Sequence, residues 1–333
     1  MMLRRQVLGG LAALLPARIA TAQVSGRVYR IGYLGYTAVN TPQDERVLGA
    51  FFQRLRELGY VEGRNFVVEW RFAEGRNERY ADFAAEMVQL KVNVVVVASG
   101  TAARAVMAAS RTLPIVATAL PDPVRAGLVA SLARPGGQLT GISNLSDELV
   151  PKRLELLKAA VPAARVIAFA NCPRCRLSSG TSAANEAQTE LEQQAAARSL
   201  GVRLLPLDVN AASDFDSAAA LLRRERPDAL LIGASQINVA LKSQWLTLAT
   251  ELALPMLAPY RGFDAMLSYG PEYRAIYRKV AEYVAKVLAG ANPGEMAMEQ
   301  PTIFELVVDL KQARALGITI PQSLLVRADE VIR

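Results

Sequence analysis

Ser99-Gly100-Thr101 follows the valine run Val94 to Val97 and Ala98, and opens an alanine-rich stretch. Two hydroxyls beside the free N–H groups of a helix start suit a carboxylate or another small anion. The same residues suit an ordinary N-cap, because Ser and Thr take that position for the cap bond alone. Asp122, between Pro121 and Pro123, is placed to hold an ammonium group or simply to turn the chain. Asn171, Ser235 with Gln236, and Asp264 with Tyr260 fall where strands are expected to end, and Tyr269-Gly270-Pro271 comes soon after. Tyr33, Tyr36, Tyr260, Phe263 and Tyr269 offer aromatic faces to a ligand, or to the core. Cys172-Pro173-Arg174-Cys175 carries thiol exchange in some settings and forms a short disulfide in exported chains.

Much chemistry is excluded by composition. The 333 residues contain no histidine, which removes Ser-His-Asp and Cys-His catalysis, HExxH zinc sites and imidazole proton transfer. Two cysteines cannot build a four-cysteine metal site, and there is no GxGxxG or GxxxxGK[ST] loop for a nucleotide. Carboxylates are plentiful, but nothing in the sequence pairs them, so no catalytic residue, cofactor or metal is expected. The net charge is +7, with Arg4, Arg5 and Arg18 ahead of residue 23. The remaining excess is spread thinly, so no nucleic-acid partner is expected.

These candidates need elements to position them. Residues 1–22 have the form of a signal peptide: Arg4-Arg5, an apolar stretch from Val7 to Leu15, then Ala20-Thr21-Ala22 before Gln23. This predicts export to the periplasm with cleavage near Ala22/Gln23, and Arg4-Arg5 leaves the twin-arginine route open. No apolar run reaches the roughly 18 residues of a membrane span, so stable membrane insertion is not expected.

From residue 28 the chain alternates short apolar strands with amphipathic helices. The expected strands include Val28 to Leu34, Phe66 to Phe72, Val92 to Ala98, Ile115 to Ala119 and Leu139 to Ile142. A second series adds Val166 to Ala170, Val202 to Leu207, Ala229 to Ile232 and Pro255 to Ala258, with Ser213 as the N-cap of the helix ending near Arg226. Two such series predict an α/β protein of two doubly wound parallel-sheet lobes joined by a hinge near residues 142–150. The expected division is 28–143 with 268–297 returning to it, and 144–267 with 298–333. Ligands of open α/β sheets bind beyond the carboxyl ends of the strands, so two facing lobes predict an interlobe cleft.

Several longer stretches resemble one family. They are Glu57-Leu58-Gly59-Tyr60-Val61-Glu62-Gly63-Arg64-Asn65, Pro121-Asp122-Pro123-Val124-Arg125-Ala126-Gly127-Leu128-Val129 and Leu132-Ala133-Arg134-Pro135-Gly136-Gly137. Ser268-Tyr269-Gly270-Pro271, Glu299-Gln300-Pro301-Thr302-Ile303-Phe304-Glu305-Leu306-Val307 and the run Pro321 to Ile332 match too. The chain resembles the substrate-binding proteins of ABC importers with a type I periplasmic-binding fold, in the branch that includes tryptophan/tyrosine-type binders. The resemblance implies a clamshell that closes on its ligand and delivers it directly to a membrane permease driven by an ATPase, while the anion-holding helix start, Asp122 and the aromatic faces make a small amino-acid-like or aromatic carboxylate the expected ligand. The resemblance implies ligand contacts from the Ser99/Thr101 helix start and Asp122 on one lobe and from Asn171, Ser235 and Asp264 on the other, and the strand-end positions add Tyr36, Gly100 and Tyr269 to the expected ligand-binding residues. The CPRC segment after Asn171 departs from the family pattern. A sensor that presents its closed form to a membrane receptor, and a thiol–disulfide oxidoreductase using Cys172 and Cys175, are the competing functions.

Overall fold

The computed structural model describes residues 28–38, 42–144 and 146–333; the expected signal peptide lies outside the described residues. The first lobe runs β1 (Tyr29–Gly35), α1 (Pro42–Glu57), β2 (Phe66–Phe72), α2 (Arg79–Gln89), β3 (Val94–Val97), α3 (Gly100–Ala109), β4 (Ile115–Pro121) and β5 (Leu139–Asn144). Its sheet is parallel throughout in the order β2-β1-β3-β4-β5. β3 shows why an unbroken valine run belongs at the centre. Val95 and Val97 pack beneath α2 and α3, Val94 and Val96 face the other layer, and all four are fully buried.

The second lobe continues with α4 (Val150–Ala160), β6 (Val166–Asn171), α5 (Pro173–Ser178), α6 (Ala183–Ser199), β7 (Arg203–Asp208), α7 (Phe215–Glu225) and β8 (Ala229–Ile232). Then come α8 (Gln236–Ala240), α9 (Lys242–Glu251), β9 (Met256–Ala258) and β10 (Leu267–Pro271). α10 (Tyr273–Leu288) returns to the first lobe and packs on α1, burying Ile276, Val280, Ala281, Val284 and Val287 with the outer face of the first sheet. The chain then passes beside β5, where Glu299 exchanges backbone hydrogen bonds with Gly141 and Ser143. β11 (Phe304–Asp309), α11 (Leu310–Ala315), α12 (Gln322–Leu325) and β12 (Glu330–Ile332) complete the second lobe. The second sheet has the order β12-β11-β10-β9-β8-β6-β7.

Three expectations need correction. The return to the first lobe begins at Tyr273, not at residue 268, because β10 is hydrogen-bonded between β9 and β11. The second sheet is not wholly parallel: β11 arrives from the other lobe and runs antiparallel to β10. Ser213 lies inside a short 3-10 turn, and Asp214 Oδ2 instead accepts the N–H groups of Asn210 and Ala211 at 2.9 and 3.0 Å. Among the described residues, no helix is long and apolar enough to cross a membrane.

Candidate functional site

In the first sheet the strand order reverses between β1 and β3, and in the second between β6 and β8. At such a switch point the following connections leave toward opposite faces and a crevice opens between them. The two crevices face each other and enclose a cavity of about 280 Å³. That lies near the lower end of small-ligand sites, about 300–1,000 Å³.

From the first lobe, Tyr36 follows β1, and Ser99, Gly100 and Thr101 follow β3. Ser99 is the N-cap of α3, its Oγ accepting the N–H of Ala102 at 3.1 Å. The first-turn N–H groups of Gly100 and Thr101 have no intrahelical acceptor and stand at the positive end of the helix. From the second lobe, Asn171 ends β6, and Ser235 and Gln236 follow β8. Phe72, Phe169 and Tyr260 add aromatic walls, and Tyr273 and Tyr277 enter from the first turns of α10. Tyr33 Oη lies 2.9 Å from Tyr277 Oη, and the rings of Tyr260 and Tyr273 are 4.7 Å apart. Burial pushes the Tyr273 hydroxyl up to about 12, so it stays neutral and available for hydrogen bonding.

Of the residues singled out in sequence, Tyr36, Ser99, Gly100, Thr101, Asn171, Ser235, Cys172 and Cys175 therefore come together. Asp122, Asp264 and Tyr269 do not line the cavity. Asp122 has a positive φ of 27° and acts as a turn residue: Oδ1 accepts the N–H of Arg125 at 2.9 Å, and Oδ2 is 3.1 Å from Arg125 Nε. Asp264, also at positive φ (51°), is exposed. Tyr269 stacks on Phe304 and packs against the second lobe's core, while its carbonyl accepts a bond from Arg153. Phe263 is buried in the core beneath Tyr260.

The acid that does line the cavity is Asp147, in the first crossing between the lobes. Sequence reading missed it, since it stands beyond the end of β5 in the segment read only as the hinge, and belongs to no motif. Burial lifts its pKa above the usual aspartate value against the opposing pull of Arg176, whose Nη1 is 3.3 Å away. Arg176 was missed too. It grips Glu186 through Nε and Nη2, both at 2.5 Å, and donates to Asn171 Oδ1 at 3.0 Å, which fixes the Asn171 amide.

Cys172 and Cys175 are joined by a disulfide, and Cys172 is only 2% exposed. The bridge spans the first turn of α5, a helix absent from the sequence reading. Among the described residues, four side-chain contacts connect the lobes around the cavity. Gln236 Nε2 donates to Ala98 O at 2.7 Å, Arg104 Nε to Ser179 O at 2.9 Å and Arg125 Nη1 to Thr189 Oγ1 at 2.9 Å, and Thr101 Oγ1 is 3.3 Å from Ser178 Oγ. The clamshell is closed.

The model of the ABC transporter substrate binding protein family matches residues 37–332. The chain belongs to that family. It is 25% identical over 283 residues to a tyrosine-binding protein of Clostridioides difficile, covering 84% of this chain and 79% of the relative. A conserved domain protein of Vibrio cholerae superimposes with a TM-score of 0.82 at 26% identity, covering 92% of this chain and all of the other. An ABC domain from Streptococcus pneumonia in complex with L-Trp gives 0.81 at 22% identity with the same coverages. The two-lobed architecture of this binding protein is the type I periplasmic-binding fold.

Proposed function

We propose that the chain captures an amino acid with an aromatic side chain between its lobes. The observation that carries this reading is the pairing of an unspent helix start at Gly100-Thr101 with the carboxylate of Asp147, on the walls of one aromatic-lined cavity. The ligand's carboxylate would rest on the α3 N-terminus, its ammonium group on Asp147, and its ring among Tyr36, Phe72 and Tyr260. The tyrosine-binding relative and the tryptophan complex support that ligand class. Because a ligand in this cavity touches both lobes, it stabilises the closed form over the open one.

We further propose that residues 1–22 direct export to the periplasm, and that the closed form delivers its cargo to an ABC permease and ATPase. A thermal-shift screen of the mature chain against aromatic amino acids, small aliphatic amino acids and sugars tests the ligand class. A ligand at about 100 times its Kd adds about 2.7 kcal/mol of stability, so binding is visible as a raised Tm. Tryptophan, tyrosine or phenylalanine should raise the Tm where alanine and ribose do not. Stabilisation by sugars alone would overturn the reading.

A further inference from the structure

α5 is six residues long and buries none of its side chains, so hydrophobic packing does little to hold it. The Cys172–Cys175 disulfide ties its first turn to the end of β6. Arg176 clasps Glu186 on α6, and Asn210 Oδ1 accepts the N–H of Arg174 at 2.9 Å. The far end of α5 is one of the places where the lobes meet. Ser178 faces Thr101, and Ser179 O accepts from Arg104. Gly180, at φ +106°, passes so close to the first lobe that a β-carbon there would stand 2.5 Å from Ala126 O. Arg104 also donates to Ala126 O, so one guanidinium clamps its own lobe and α5 together.

We propose that α5 is the latch of the closed state, that Arg104 is the positioning residue that engages it, and that the Cys172–Cys175 disulfide sets how tightly ligand is held. The proposal rests on the reading of the interlobe cavity as a ligand site. A six-residue helix whose apolar contact with the core is Cys175, half of the bridge itself, opens locally at little cost. With the bridge intact, α5 meets the first lobe already ordered. Without it, part of the free energy of closure goes into ordering the helix, and apparent affinity falls with the closed fraction.

Cys175 lines the cavity, so closure and ligand cover the bridge. Linkage then works in both directions: whatever factor the bridge adds to ligand affinity, ligand adds to the bridge's resistance to reduction. Reduction by a dithiol takes two electrons and two protons. A reagent thiolate breaks the Sγ–Sγ bond, the reagent's second thiol displaces the mixed disulfide, and the products are two protein thiols and the reagent's own disulfide.

The test is calorimetric titration of L-tryptophan and L-tyrosine into the oxidised chain, the dithiol-reduced chain, the Cys172→Ser/Cys175→Ser chain and Arg104→Met. Amide exchange across residues 173–181 is followed in each without ligand. Affinity should fall about tenfold in the last three, and saturating ligand should make the bridge about tenfold harder to reduce. Exchange in α5 should quicken when the bridge is removed. Oxidised and reduced chains that bind alike, within about twofold, would overturn the proposal. If neither amino acid binds the oxidised chain, it is the ligand reading that fails. Exchange then decides the latch alone, and protection of residues 173–181 unchanged by reduction would overturn it.

Discussion

Gly100 on the first lobe and Ser179 on the second meet so closely that a β-carbon on Gly100 would stand 2.7 Å from Ser179 Cβ. The contact lies on the wall of the cavity, between the helix start proposed to receive the ligand and the end of α5. A single methyl group at this point therefore acts on closure and leaves each lobe's core intact. Gly100→Ala should weaken ligand binding by about 1–3 kcal/mol, the usual cost of overpacking. Small-angle scattering should show a more open average shape, while the unliganded Tm barely moves. An unchanged affinity would mean that the lobes have another way to close.

Among the described residues Asp147 is the acid that lines the cavity, and its proposed partner is the ligand's ammonium group. Asp147→Asn should cost about 1.5–3 kcal/mol of affinity for an aromatic amino acid, the range for a hydrogen bond to a charged group. The corresponding acid lacking the amine, indole-3-propionate, should bind both chains equally. Burial raises the Asp147 pKa, so the ionised form that holds an ammonium group is lost earlier than in a free aspartate as pH falls. Affinity measured against pH should decline on the acid side in the native chain, and not in Asp147→Asn.

Glu57 clasps the returning helix. Hydrogen bonds from Arg278 on α10 and Arg54 on α1 hold its pKa down to about 2, from 4.5. A carboxylate with a depressed folded-state pKa adds stability above its unfolded value and loses it as pH falls through the folded one. The native chain should therefore lose stability between about pH 4.5 and pH 2 from this group. Glu57→Gln should flatten that part of the profile. Urea unfolding of both chains across that interval checks it, and parallel profiles would count against the clasp.

Arg153 holds the crossings together. It is 1% exposed, and it donates to Tyr269 O at 2.9 Å, Ser146 O at 3.1 Å and Pro259 O at 3.0 Å. Its burial among carbonyls lowers its pKa to about 10, still charged at neutral pH. Arg153→Met keeps much of the volume but strands three carbonyls, at about 1–3 kcal/mol for each that stays buried. Chemical denaturation should show a loss of several kcal/mol, and a loss below about 1 kcal/mol would mean that water replaces the guanidinium.

The strands were legible because their apolar patterns are local. Phe66 to Phe72 and Ala229 to Ile232 span the same residues in the structure as in the sequence reading. β10 was not read as a strand, since Ser268-Tyr269-Gly270-Pro271 offers no run of apolar residues. It is strand because β9 and β11 sit on either side to pair with it. α5 was hidden for a related reason. Its six residues have no apolar periodicity, and it is held by the bridge and by Glu186 and Asn210 from outside the segment.

The sequence by itself determined the two α/β series, the Ser99-Gly100-Thr101 helix start, the missing histidine chemistry and the family. Each of these is written in residue types at short range. Only the tertiary structure decided which acid lines the cavity. Asp122 looked apt, but its backbone turns and its carboxylate bonds to Arg125 three residues on, while Asp147 is carried inward by the crossing between the lobes. A side chain's neighbours across a cleft depend on how two sheets face each other, and no local pattern in the chain encodes that.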